Sequence, residues 1–229
     1  MSLVFPNGYK CLVCGCEIDD NKIALCENCL NSLPKISGKT CECCSVPIYS
    51  DANFCESCKL ANHVFAKAFA PFEYSGQIKN LIHKLKYEQK KYVAKSLGEL
   101  IFDYFEKLNL SVDVVVPVPL YILREHERGF NQAYELCHKF LSCGYKVLNN
   151  CVVKVKNTKA QVDLDFSSRK ENVSGAFRVL TPNAVKNKIV LLVDDVYTTG
   201  STLDEVASEL IENGATKVYC LTVAHTCLN

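Results

Sequence analysis

The sequence predicts an α/β domain built on a parallel sheet, preceded by a small cysteine-rich module. Three observations carry this. Short, largely apolar runs rich in β-branched residues, at 112–116 (broken by Asp113), 189–193 and 218–223, show no regular polar side to turn outward, which is how strands covered on both faces read. Apolar residues recur at helical spacing between those runs. Ten of the fifteen cysteines lie between Cys11 and Cys58.

With 229 residues, 48% hydrophobic and 22% charged, the chain has room for one medium domain and a small one. The reading divides it at 1–62 and 63–229. The larger part can bury a real core, whereas some 60 residues are marginal without staples. A net charge of +1 gives no global drive toward nucleic acid or a membrane surface. No stretch approaches the roughly 20 apolar residues that cross a bilayer. The opening MSLVFPNGYKC lacks a charged leader and an apolar core, so a soluble, cytoplasmic protein is expected.

An odd number of cysteines without a leader argues against a disulfide framework and toward metal. Four Cys-x-x-Cys pairs occur: Cys11 with Cys14, Cys26 with Cys29, Cys41 with Cys44, and Cys55 with Cys58. Two-residue spacing lets both thiolates of a knuckle reach one ion at about 2.3 Å, and two knuckles complete a tetrahedral Zn–S₄ site. Gly15 and Ser45 follow Cys14 and Cys44, where a tight turn is needed. The pattern repeats after about 30 residues, which reads as two tandem zinc ribbons with one structural ion each. Cys16 and Cys43 leave the ligand set open, and Cys43 can replace Cys44. A single ion, interleaved pairing, an iron–sulfur cluster and redox dithiols are the other readings. Residues 1–60 hold five Lys, no Arg and seven Asp or Glu, so the module is not the basic surface that a nucleic-acid backbone selects.

Along the larger part, 66–74 reads as a strand, and 78–85 and 93–105 as helices with Ile78, Leu81, Ile82 and Leu85, then Val93, Leu97, Leu100, Ile101 and Tyr104 on their inner faces. A strand follows at 112–116. A helix is predicted over 131–141, stopping before Gly144, and another strand within 146–155. The decisive segment begins with the buried strand 189–193. Asp194 and Asp195 stand at its end, then Thr198, Thr199, Gly200, Ser201 and Thr202, then a helix with Leu203, Val206, Ala207, Leu210 and Ile211 on one face. Ser201 with Asp204, and Thr202 with Glu205, fit a capping box, and Gly214 closes the helix. A last strand is read at 218–223.

The chemistry follows from those residue types. A loop entering a helix presents unpaired N–H groups and the positive end of the helix dipole, which together hold a phosphate. Gly200 permits close backbone approach, and the hydroxyls add donors. Paired carboxylates at the carboxyl end of a strand face the crevice where open α/β sheets bind ligands, and there they accept hydrogen bonds from a cis-diol. A phosphate cradle beside a diol clamp describes a 5-phosphoribose.

This stretch resembles the 5-phosphoribosyl 1-pyrophosphate (PRPP) fingerprint of type I phosphoribosyltransferases. With Lys86-Tyr87, Pro117-Val118-Pro119, Arg124, Arg128-Gly-Phe-Asn-Gln-Ala133, Thr158-Lys-Ala-Gln161, Arg169-Lys-Glu-Asn172 and Gly175-Ala-Phe177, the whole chain is similar to the ComF family of competence proteins. Lys159 stands where that resemblance leads one to expect Arg. The resemblance implies a type I phosphoribosyltransferase fold. It implies ribose and Mg²⁺ contacts from Asp194 and Asp195, a 5-phosphate on Thr198 to Thr202, and pyrophosphate on the 117–119 turn. Arg128 lies in a flap, with Arg124 and Arg169 serving likewise. Each arginine taken singly reads equally well as a surface or cap residue. Lys86, a candidate ligand contact, belongs to a run, 79–95, of six lysines with Glu88 as its one acid, which serves a ligand or nucleic acid or is a solvated helix face. Three functions are open: transfer of phosphoribose to an unidentified nitrogen acceptor, a competence role that handles single-stranded DNA at the cytoplasmic side of the inner membrane beside translocation proteins, or a regulator that uses the PRPP fold as a switch and the zinc module to dock a partner. No general base and no acceptor pocket is visible.

Overall fold

Runs of Val, Ile and Leu with no polar side are satisfied only between two layers, and the sheet sits there. The computed structural model describes residues 9–19, 23–88, 90–158 and 173–227. The N-terminal module holds β1 (Tyr9–Lys10), β2 (Glu17–Ile18), α1 (Glu27–Asn31) and α2 (Glu56–Leu60). Then come β3 (Lys67–Phe69), β4 (Phe72–Glu73), α3 (Gly76–Tyr87), α4 (Tyr92–Lys107) and β5 (Val114–Pro117). They are followed by α5 (Ile122–Arg128), α6 (Gln132–Leu136), α7 (His138–Ser142), β6 (Val152–Lys154), β7 (Phe177–Val179) and α8 (Pro182–Val185). The chain ends through β8 (Ile189–Tyr197), α9 (Ser201–Glu212) and β9 (Lys217–His225).

The main sheet runs β3-β9-β8-β5, all parallel, with β4 continuing β3 along β9. Alternation splits each strand between two cores. Leu191, Val193, Leu221 and Val223 pack with Ile78, Leu81, Ile82 and Leu85 on α3 and with Val93, Leu97, Ile101 and Phe105 on α4. Val190, Leu192, Val218 and Cys220 face the other way, onto Leu203, Val206, Ala207 and Leu210 of α9.

Several elements differ from the sequence reading, each for a local reason. The strand read at 66–74 is split between β3 and β4, at Ala70-Pro71, because proline has no N–H for the ladder. The helix read at 131–141 breaks at Cys137, whose N–H donates to the Tyr134 carbonyl (2.9 Å), a tighter turn than an α-helix makes. The strand within 146–155 is β6, which pairs antiparallel with β7 outside the main sheet. Ile211 is 36% exposed, off the buried face of α9. The capping boxes do not form. Gly200 is the N-cap, with φ +81° and no side-chain cap, while the Asp204 carboxylate accepts from Val64 N–H and Glu205 accepts from Gly175 N–H.

The cysteine-rich module is laced to the β3 side of this sheet. Ala68 N–H donates to the Cys43 carbonyl (2.8 Å), Ile36 N–H to the Pro71 carbonyl (2.9 Å) and Glu73 N–H to the Pro34 carbonyl (2.8 Å). Ser45 Oγ donates to the Ala68 carbonyl at 2.7 Å. Its first half reaches the α3–α4 face, where Lys84 Nζ donates to the Leu12 carbonyl (2.9 Å) and Ala24 N–H to Ser96 Oγ (3.0 Å). Its second half joins the α9 core through Cys41, Cys44 and Val46. An edge strand offers unpaired N–H and C=O groups, and this contact covers them. Among the described residues no helix is long and apolar enough to cross a membrane.

Helices α4 and α6 meet at Gly98, where a Cβ would lie 2.7 Å from the Leu136 carbonyl oxygen. Gly98→Ala is therefore expected to destabilise the fold by about 2 kcal/mol, lowering the melting temperature by roughly 5 °C. An unchanged melting temperature would mean that the two helices are not held this close.

Candidate functional site

The site arises where one strand stops before its neighbour. Strand β5 ends at Pro117, the register partner of Val193, while β8 continues beside β9 as far as Tyr197 opposite His225. Asp194 and Asp195 are thus inside β8 rather than after it, on a stretch that has lost its β5 neighbour. A crevice of about 400 Å³ opens there, within the usual range for small-ligand sites. Asp194, Asp195, Lys86, Arg124 and Arg128 line it, as do Val118, Pro119, Thr198, Gly200 and Thr202. Pro117, Thr199 and Ser201 do not. Arg169 and the stretch 159–172 lie outside the described residues.

Burial governs the electrostatics. Lys86 Nζ is 2.7 Å from Asp195 Oδ1, with the two side chains 21% and 5% exposed. Burial opposes the lysine's charge, but Asp195 and then Asp194 outweigh it and hold its pKa above the ordinary value. The second oxygen of Asp195, Oδ2, is buried without a hydrogen-bond partner among the described residues. Asp194 Oδ1 accepts from Asp195 N–H at 2.8 Å, yet burial first and the Asp195 charge second push the Asp194 carboxyl up to about 7. On the cationic side, burial and then Arg124 lower the pKa of Lys154, and burial lowers that of Arg128 against the pull of Asp195. The crevice holds one acid, Asp194, pressed toward protonation, and two bases, Lys154 and Arg128, pressed toward losing charge. A bound polyanion and a cation would relieve both.

The phosphate-type loop has its own constraints. A Cβ on Gly200 would lie 2.6 Å from Tyr197 Oη and 3.0 Å from His63 Cε1, and its φ is left-handed, so only glycine fits. Thr199 Oγ1 and Ser201 Oγ bond each other at 2.9 Å, which helps hold the turn. The 117–119 turn also departs from expectation. Its one N–H, on Val118, donates to the Val193 carbonyl (2.9 Å), so it completes the sheet and is not aimed at a ligand.

The thiols gather in two places. Cys41, Cys44, Cys55 and Cys58 place their sulfurs within 4.8 Å of one another, and so do Cys11, Cys14, Cys16 and Cys26. Sulfurs of Cys44 and Cys55, and of Cys14 and Cys26, are 3.7 Å apart. A tetrahedral ion with bonds of about 2.3 Å separates its sulfurs by about 3.8 Å, so both groups fit zinc. In the first group Cys16 enters because Gly15, at φ +76°, folds the chain back beside Cys14. Cys29 adjoins Cys26, Cys14 and Cys11 but stands outside that tight set.

Comparison with known proteins agrees with this geometry. Residues 84–226, more than half of the chain, match the phosphoribosyl transferase domain, and residues 1–59 match the double zinc ribbon domain. DNA utilization protein YhgH of Escherichia coli strain K12 is 31% identical over 207 residues, covering 79% of this chain and 88% of that protein. Competence protein F of Haemophilus influenzae is 29% identical, covering 92% of this chain and 94% of its own, and competence protein ComFC of Bacillus subtilis is 26% identical, covering 85% and 80%. The chain belongs to the ComF family.

Within this ComF chain, sequence reading missed Lys154, Tyr74 and Tyr197, which line the crevice, and His63, which abuts its loop. Lys154 alternates with Val153 and Val155 like any edge lysine, and no motif singles out the others. The raised Asp194 carboxyl gives a test. A folded-state pKa above the ordinary 3.8 makes its protonated form stabilising, and that stability is lost as pH rises toward about 7. Asp194→Asn should raise the melting temperature in magnesium-free buffer by about 3 °C or more at pH 8, and by less at pH 4. Equal shifts at both pH values would contradict a buried, destabilised carboxylate.

Proposed function

We propose that this ComF chain binds PRPP with Mg²⁺ in the crevice and serves natural competence, handling single-stranded DNA on the cytoplasmic side of the inner membrane alongside translocation proteins. The observation that carries the ligand is the acid pair of β8, half-buried Asp194 and buried Asp195, with Asp195 Oδ2 unpartnered among the described residues, set before the helix-entry loop at Gly200. The acids take the ribose hydroxyls and the metal, partly through water. Residues Thr198, Gly200 and Thr202 at the α9 N-terminus take the 5-phosphate. Arg124, Arg128 and Lys154 face the pyrophosphate, and we propose the same role for Arg169 on its sequence alone. A bound Mg²⁺ would neutralise pyrophosphate charge, and an unpaired buried carboxylate oxygen fits a cation. Zinc in the ribbons is structural, held by Cys11, Cys14, Cys26 and Cys29 in one and by Cys41, Cys44, Cys55 and Cys58 in the other, with Cys16 available to the first. We take 1–62 as the ribbon module and 63–229 as the transferase-type domain.

Relatives named as competence proteins support the biological role. So does the basic run 79–95, in which Tyr87 and Tyr92 are 65% and 58% exposed beside lysines, the combination that stacks and tracks a single strand. The second reading is an active transferase. It is favoured by the tyrosines Tyr74 and Tyr87 in the same crevice, an aromatic wall against which an accepting base can stack.

Asp194→Ala with Asp195→Ala should weaken Mg–PRPP binding at least about 100-fold by calorimetry, since two charge-assisted contacts are lost. Unaltered affinity would remove the ligand assignment. Pyrophosphate release across a panel of bases and amines, paired with single-stranded DNA gel shifts over a salt series, separates the two readings. Turnover with an identified acceptor supports the transferase. DNA binding that falls with salt, without turnover, supports the competence role.

A further inference from the structure

Two residues beside the second ribbon belong to neither Cys-x-x-Cys pair there. The Cys43 sulfur, the Cys58 sulfur and a ring nitrogen of His63 lie within 4.8 Å of one another. Both outlying donors are fixed. The Cys43 backbone is held to β3 by the Ala68 N–H bond to its carbonyl. The His63 side chain is 4% exposed and stacks on Phe65 with centroids 4.6 Å apart. Its Nδ1 is 2.6 Å from Asp204 Oδ2, and the next residue, Val64, donates its N–H to Asp204 Oδ1 at 2.8 Å.

That arrangement decides the tautomer. A proton on Nδ1 is held toward the Asp204 carboxylate, which leaves the lone pair on Nε2. The hydrogen-bond partner of Nε2 is Tyr197 Oη at 3.4 Å, long for an O–H···N bond. A carboxylate behind an imidazole is the usual means of orienting a histidine that binds metal. Five thiols and one imidazole are also more donors than a single tetrahedral ion accepts.

We propose that Cys43, Cys58 and His63 Nε2 hold a metal ion of their own, a borderline-soft divalent cation such as Zn²⁺, with the Cys58 thiolate shared with the four-thiol set of Cys41, Cys44, Cys55 and Cys58. Loading releases the Cys43 thiol proton to solvent, and a water fills the fourth position. Unlike an ion enclosed by four sulfurs, this one keeps a position open to an added ligand. Asp204 stands in the first turn of α9, and His63 Cε1 is 3.0 Å from where a Gly200 Cβ would be, so the ion is coupled by one side chain to the phosphate-type loop.

The test uses the full chain loaded with Co²⁺ or Zn²⁺, freed of excess by gel filtration, with metal per chain measured by mass spectrometry. Wild type should hold one equivalent more than Cys43→Ser and one more than His63→Gln. Equal content in all three overturns the site. His63→Gln also disturbs the Asp204 contact and can impair folding, whereas Cys43→Ser leaves that contact intact and decides alone. The difference between chains is read whatever the ribbons themselves hold, because Cys43 and His63 lie outside both four-thiol sets. X-ray absorption of the zinc-loaded chain should show a nitrogen donor in wild type that His63→Gln loses. An identical ligand shell in the two would equally overturn the proposal.

Discussion

Everything distinctive about the crevice depends on β8 outrunning β5. In the body of a parallel sheet a central strand is bonded on both sides and covered on both faces, and such a position accepts only apolar residues. Val190 to Val193 obey that rule. At Pro117 the neighbouring strand ends and its chain turns away, while Val118 gives its one N–H to the Val193 carbonyl. Beyond this point β8 keeps its ladder to β9 and so stays rigid, yet it has open space beside it. Acids placed there are fixed by the sheet without being sealed inside it.

Rigidity of that kind carries an electrostatic cost when nothing is bound. Asp194 and Asp195 alternate onto opposite faces of the strand, and among the described residues Asp195 is the one that forms an ion pair, with Lys86 reaching over from the end of α3. Asp194 accepts from a backbone N–H and feels Lys86 and Lys154, yet burial and then the Asp195 charge outweigh them and push its carboxyl up to about 7. Polar groups held in a partly dry cleft before a ligand arrives need no reorganisation when it does, and their interactions with it are stronger than in water. The same holds for Lys154, which burial and then Arg124 depress.

The sequence made legible whatever is set by a run of neighbours. Apolar β-branched runs announced buried strands, the spacing of Leu203, Val206, Ala207 and Leu210 announced α9, and paired acids before a hydroxyl-rich glycine bend announced the crevice. What stayed hidden is set by partners distant in sequence. Asp204 and Glu205 looked like capping-box acids, but Val64 N–H and Gly175 N–H are brought to them by the fold and win them over. Lys86 read as one lysine in a basic run, and only the packing of α3 against the sheet brings it to Asp195. Cys16 left the first ligand set open, and the left-handed turn at Gly15 brings its sulfur, rather than that of Cys29, into the tight group. Periodicity carries no trace of any of these.

The lacing of the ribbon module along β3 and β4 reaches beyond architecture. Those short strands are bonded to β9 on one side and to Pro34, Ile36 and Cys43 on the other. Cut the module away, by truncation or by stripping its thiols, and the sheet is left with a raw margin ready to zip onto another molecule. The phosphoribosyltransferase-like domain is therefore not a detachable part: a gene trimmed to it should yield inclusion bodies or swapped oligomers.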